Sequence, residues 1–106
     1  MRKFGQVIRL KPEHYDEYVK AHAEVWPEVL AQIKASHIQN YSIFHHDGLL
    51  FAYFEYVGQD FEGDMAAMAA DPITQKWWAW MKPMQQPLPD AGEAWWQNME
   101  HVFEFN

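Results

Sequence analysis

In 106 residues without a cysteine, eight Lys and Arg stand against fifteen Asp and Glu, a net charge of -7. That balance excludes a disulfide framework, a thiolate nucleophile and any cysteine-held zinc or iron–sulfur centre, and it leaves no basic cluster to neutralise nucleic-acid phosphates. A chain of this length is expected to form one domain over residues 1–106 and to bury roughly 65% of its unfolded surface, so that pairing with a second copy would add stability. No run approaches the ~20 apolar residues of a membrane span, and no long apolar stretch follows the charged start Met1–Gln6, so a cytoplasmic protein is expected. Six tryptophans are more than a core this small needs. Some of that indole surface is expected to line a cavity.

Phe4 to Leu10 alternates as a strand, with Phe4, Gln6, Ile8 and Leu10 on one face. Pro12 then sits where a helix can begin, since its missing N–H would be unpaired there in any case. Tyr15, Tyr18, Val19, His22 and Val25 follow at helical spacing. Pro27 disfavours helical geometry at Trp26 and suits the first turn of a new helix, so a break is expected between them, with Trp26 turned sideways. Two β-rich runs follow, Ile38 to His45 and Leu49 to Val57, joined across Asp47-Gly48, a strong hairpin signal. After Gly58 a Met/Ala segment, Phe61 to Ala70, leads to Asp71-Pro72, a helix cap followed by a first-turn proline. The helix so begun carries Ile73, Trp77, Met81 and Met84 at steps of three or four. Pro83 to Gly92, with three prolines, reads as a surface loop, and His101 to Phe105 as a last strand. The order strand, helix, strand, strand, helix, strand is the α+β, ferredoxin-like βαββαβ arrangement: a four-stranded antiparallel sheet with its helices on one face. Its uncovered face would be a cavity wall or a dimer interface.

Tyr18, His22 and Trp26 recur at four-residue steps, which on a helix is one face with side-chain origins roughly 5–6 Å apart. A phenol, an imidazole and an indole so placed are the parts of a small acid–base site, because imidazole both donates and accepts a proton near neutral pH. Trp77 and Trp78 diverge by about 100° on a helix, so one belongs to the core and the other reaches the cavity. Tyr41 reads as a packed aromatic. His14, His37 and His101 read as structural or solvated. His45 and His46 point to opposite faces of a strand and cannot share a metal. With no spaced ligand set elsewhere, no metal site is expected. Met65, Met68, Met81 and Met84 read as core filling.

The run Tyr18-x-x-x-His22-x-x-x-Trp26-Pro27-Glu28, then Asn40-Tyr41-Ser42-Ile43, Leu49-Leu50-Phe51 and Lys76-Trp77-Trp78-x-x-Met81, resembles the L-rhamnose mutarotase family over nearly the whole chain. The resemblance implies a homodimeric ferredoxin-like protein, a dimeric α+β barrel with no metal or organic cofactor, that interconverts the α and β anomers of a 6-deoxy-L-hexose. It further implies that His22 is the proton donor and that Tyr18, Tyr41, Trp77 and Trp78 contact the sugar, with Trp26 a further pocket residue. Within that reading one of the tyrosines is expected to fix the imidazole tautomer. L-Rhamnose is the expected substrate. After the Trp pair, however, Gln85-Gln86-Pro87-Leu88-Pro89-Asp90 departs from the Asn-Pro-Asp-Asn-Ser-Pro pattern of rhamnose members and is similar to relatives acting on L-fucose. A cofactor-free monooxygenase of the same dimeric fold, and a sugar-binding module without catalysis, are the readings from other classes.

Overall fold

The computed structural model describes residues 1–106. Strand β1 (Arg2–Leu10) runs through a single 3-10 turn into α1 (Tyr15–Ala23), which stops before Pro27 and is followed by α2 (Pro27–Ala35). The hairpin β2 (Ile38–His46) and β3 (Leu49–Tyr56) leads to α3 (Phe61–Ala70), α4 (Pro72–Met81), and two short strands, β4 (Gln85–Gln86) and β5 (Gln97–Asn98). No helix is long and apolar enough to cross a membrane.

Local chemistry accounts for the boundaries. Trp26 takes an extended conformation (φ -58°, ψ 134°) ahead of Pro27, so one helix becomes two. The hairpin turns on Asp47 and Gly48, both at positive φ (51° and 77°), the backbone that a two-residue turn between twisted strands demands. Asp60 caps α3 by accepting from the Gly63 amide at 3.0 Å, and Asp71 caps α4 by accepting from both the amide and the hydroxyl of Thr74 at 2.8 Å.

The sheet is antiparallel in the order β2-β3-β1-β4, with β5 also on β1. The register pairs Ile8 with Leu50 and Phe4 with Phe54, so the even-numbered residues of both central strands share one face. That face carries all four helices through two clusters. One joins Ile8, Leu10 and Leu50 to Tyr18, Ala21, Val29, Trp77, Met81 and Met84; the other joins Phe54, Tyr56 and Ile38 to Met68. Met68, Met81 and Met84 are core filling, and Met65 packs at the edge of the second cluster. The fold is ferredoxin-like, with a helix pair in each helical position.

Two expectations at the end of the chain are corrected. His101 to Phe105 is not a strand: these residues join no ladder, and the last ladder is the two-residue β5, against Gln6 and Val7. Nor is Pro83 to Gly92 a plain surface loop. Gln85 and Gln86 pair with Leu10 and Arg9, which draws Gln85 into the interior at 6% exposure.

Candidate active site

Helix α1 delivers Tyr18 and His22 one turn apart, on the face that packs against the sheet and α4. Their rings stack at 4.2 Å between centroids. His22 is half-buried, and its Nδ1 lies 2.8 Å from the main-chain carbonyl of Tyr18. A carbonyl only accepts, so Nδ1 carries the hydrogen and Nε2 is the nitrogen left free. The tautomer is therefore set by the backbone of Tyr18, not by a phenol as the sequence led us to expect. Burial pushes the His22 pKa below its ordinary value, outweighing the carbonyl contact, so the ring is neutral near pH 7 with a bare Nε2.

Helix α4 supplies the wall. Trp77, 6% exposed, meets His22 edge-on at 5.4 Å and Trp26 at 5.2 Å. Trp26, displaced by the proline break, stacks on Trp80 at 5.8 Å and so braces Trp77 from behind. Trp78 is half-buried and packs against both clusters, beneath the Lys82 ammonium. Of the tryptophan pair, Trp77 is thus the one against the imidazole, while Trp78 sits at the seam between the two halves of the core.

Tyr41 reaches the same seam through an irregularity in β2. The register slips between Gln39 and Ser42, so two residues, Asn40 and Tyr41, stand opposite the single Phe54. The extra residue inverts the parity of the strand and brings Tyr41, Ile43 and His45 to the helix-bearing face. Asn40 holds the bulge with φ 50° and a side-chain amide donating to Glu55 at 2.8 Å. Glu55 also accepts from Tyr53 and Gln39, and these hydrogen bonds hold its pKa down at about 2. The Tyr41 ring lies 5.4 Å from Phe54 and stays 41% exposed. Its hydroxyl is desolvated, so its pKa is raised, and it lies near enough to Tyr18 to disfavour a charge there as well. Asn40→Val removes both the amide anchor and the residue type that tolerates positive φ. It is expected to cost about 1–2 kcal/mol in denaturant unfolding as Tyr41 loses its hold; an unchanged midpoint would contradict the assigned role of the bulge.

Tyr18 is 3% exposed, and burial pushes its pKa up to about 12. It stays a neutral phenol throughout the physiological range. Its oxygen accepts from Gln85 Nε2 at 3.0 Å, and Gln85 Oε1 in turn accepts from the Trp95 indole N–H at 2.8 Å. Gln85 was not legible as a site residue, since it lies in a proline-rich segment with no periodicity. Two depressions open outside the seam, of about 310 Å³ beside Glu17, Glu24, Trp26 and Trp80 and about 330 Å³ beside Tyr15 and His45. Neither includes Tyr18, His22, Tyr41 or Trp77. The other histidines are dispersed: His37 contacts Asp64 at 3.0 Å, His45 packs on Tyr15, and His14 and His101 lie beside surface glutamates.

Residues 3–105 match the family model for L-rhamnose mutarotase. Among curated relatives, the L-rhamnose mutarotase of Oceanobacillus iheyensis is 38% identical over 92 residues, covering 85% of this chain and 86% of the relative. That of Mannheimia succiniciproducens is 34% identical over 105 residues, covering 97% of each. Of solved structures, L-rhamnose mutarotase FA22100 from Formosa agariphila superposes over 100% of both chains with a TM-score of 0.79 at 25% identity. Tetracenomycin F2 cyclase from Streptomyces glaucescens superposes with a TM-score of 0.72, but at 13% identity it shares the fold alone. Fold and sequence agree, and this chain belongs to the L-rhamnose mutarotase family.

Proposed function

We propose that this protein is an isomerase that interconverts the α and β anomers of L-rhamnose by opening and reclosing the pyranose ring, with His22 as its acid–base group. The observation that carries the reading is the committed imidazole: Nδ1 bound to the Tyr18 carbonyl, the ring between Tyr18 and Trp77, and Nε2 free. In the first half of the reaction the anomeric hydroxyl gives its proton to Nε2. The C1–O5 bond breaks as C1=O1 forms, and the proton passes from Nε2 to O5, giving the open aldehyde. Rotation about C1–C2 and the reverse transfers close the ring on the other face. No electrons are exchanged with a cofactor, and one nitrogen serves as base and then acid. In this reading Tyr18 and Tyr41, both neutral, donate hydrogen bonds to sugar oxygens, while Trp77 and Trp78 pack on the apolar C–H surface and 6-methyl group.

A second sugar is favoured by a specific segment. Gln85 to Asp90 departs from the rhamnose pattern, and Gln85 reaches Tyr18, so L-fucose is the alternative substrate. Two-dimensional exchange NMR on both anomers of L-rhamnose, L-fucose and D-glucose tests the reading. Faster exchange of L-rhamnose than of the other two supports it; acceleration of L-fucose alone would transfer the assignment, and acceleration of none would end it.

The same reading includes a homodimer. The sheet face away from the helices carries Phe44 at 66% exposure, and Val102, Phe103 and Phe105 beyond β5 are 83%, 78% and 87% exposed. Apolar side chains so displayed on a sheet face and on the segment after β5 are suited to burial against a second copy. Light scattering is expected to give twice the 12.6 kDa of the chain, and removal of residues 101–106 to shift the protein toward the monomer. A full-length monomer at micromolar concentration would contradict this.

A further inference from the structure

We propose that Gln85 is a positioning residue that sets the direction of the Tyr18 hydrogen bond, so that the phenol offers its proton to the sugar. The inference rests on the assignment of the seam as the sugar site. Its basis is the chain Trp95–Gln85–Tyr18, which joins the segment after α4 to the centre of that site.

The direction follows from the donor inventory. An indole N–H only donates, so the Gln85 atom 2.8 Å from Trp95 Nε1 must be the amide oxygen. The NH₂ group therefore faces Tyr18, whose oxygen is 3.0 Å away and must accept. Once its oxygen is engaged in this way, the phenol has its own proton to give in another direction. Tyr18 and Gln85 are both buried, at 3% and 6% exposure, so water does not compete for these groups as it would at the surface.

Trp95 is held for this task at some cost. It has φ 66° and ψ -67°, the geometry of a tight three-residue turn that a bulky residue rarely adopts, closed by the Trp96 amide donating to the Ala94 carbonyl at 2.8 Å. Strain of this kind persists where surrounding contacts impose it. Here those contacts are the Gln85 bond and the Lys82 ammonium over the indole, 5.4 Å from the ring centre. The segment that departs from the rhamnose pattern is thus the one that decides which way Tyr18 points its proton. Orientation of a single hydroxyl contact is enough to discriminate sugars that differ in hydroxyl configuration.

Gln85→Glu tests this with little change of size. Ionised, the new carboxylate accepts from both Trp95 and Tyr18, which turns the phenolic proton away from the sugar. Protonated, its carbonyl takes the Trp95 N–H and its O–H donates to Tyr18, restoring the native direction. Its titratable partner is the Tyr18 phenol; beyond Tyr18 stand the His22 ring stacked on it and the Tyr41 hydroxyl, and on the other side Lys82 lies over Trp95 and Lys11 is bound to the Pro83 carbonyl. Burial raises the carboxyl pKa, whereas Lys82 lowers it. Exchange rates at each pH are expressed relative to the unaltered protein, which removes the titration of His22 itself.

At about pH 8 the variant is expected to have kcat/KM reduced about 10- to 100-fold, with the ratio recovering several-fold by about pH 5. Trp95→Phe, which frees the amide to flip, is expected to lose about 3- to 10-fold and to narrow the preference between L-rhamnose and L-fucose. A deficit that does not change with pH marks a packing lesion and overturns the inference, as does the absence of any deficit. If the unaltered protein accelerates neither sugar, the sugar-site assignment fails and this inference falls with it.

Discussion

Replacing His22 by Ala is expected to slow anomer exchange about 10²- to 10⁴-fold while changing sugar affinity only a few-fold. The prediction follows from the division of labour in the seam. In the proposed reading, contacts to the sugar are spread over Tyr18, Tyr41, Trp77 and Trp78, whereas the proton has one carrier. No other imidazole is within reach, since His37 is occupied with Asp64, His14 lies beside Glu17, and His45, His46 and His101 are exposed. Tyr18 cannot take over as base, because its pKa of about 12 leaves almost no phenolate near neutrality. The pH dependence carries the same signature. Burial lowers the His22 pKa, so bare Nε2 persists to lower pH than for a free imidazole, and kcat/KM should fall only as pH drops below about 6.5. Exchange NMR on the variant, with binding followed by saturation difference, reads both effects. A variant that retains more than about a tenth of the rate, against the predicted range, would remove His22 from its role.

Trp77→Ala is expected to cost about 3–5 kcal/mol of stability as well as activity. Trp77 is nearly fully enclosed, belongs to the larger core cluster, and touches His22, Trp26 and Trp80 within 5.4 Å between ring centres. Deleting it leaves a cavity whose other walls are indoles and an imidazole, held by α1 and the proline break, so collapse is restricted. Because five tryptophans remain, unfolding is better followed by far-ultraviolet circular dichroism than by fluorescence. Trp77→Phe separates the two roles: it keeps part of the packing but presents a smaller wall, so it should fold while exchanging anomers more slowly. An Ala variant with an unchanged denaturation midpoint would show that Trp77 is not the keystone the packing implies.

Much of this was legible because the local signals are strong where backbone chemistry is unusual. Pro27 after a helical run, Asp71 before Pro72, and Asp47-Gly48 between β-rich runs each dictate a boundary through φ restriction or an orphan amide, independent of the rest of the fold. The four-residue spacing of Tyr18 and His22 likewise survives as a shared helix face. What escaped is what depends on pairing between distant segments. The apolar residues Val102, Phe103 and Phe105 look like part of a strand, yet a strand needs a neighbour, and none is offered within the chain. Strands β4 and β5 are two residues each, too short for any period to register.

Tyr41 illustrates the same point within one strand. Its face is decided by a one-residue bulge at Asn40, and simple alternation cannot show an inserted residue. Gln85 was invisible for a related reason: a polar side chain in a proline-rich stretch reads as solvated until its partners, Tyr18 and Trp95, are brought to it from 67 and 10 residues away. The tautomer of His22 was expected from a phenol and is supplied by a backbone carbonyl one turn earlier. That contact comes from one turn earlier in the same helix and leaves a single ring nitrogen free.

The central claim is that this one nitrogen carries the proton, and nitrogen-15 NMR of the imidazole of His22 tests it most directly. The account predicts hydrogen on Nδ1 and a bare Nε2 at neutral pH, with one titration below about 6.5 that coincides with the acid loss of anomer exchange. Hydrogen on Nε2 at neutral pH, or a titration that leaves the exchange rate untouched, would contradict it.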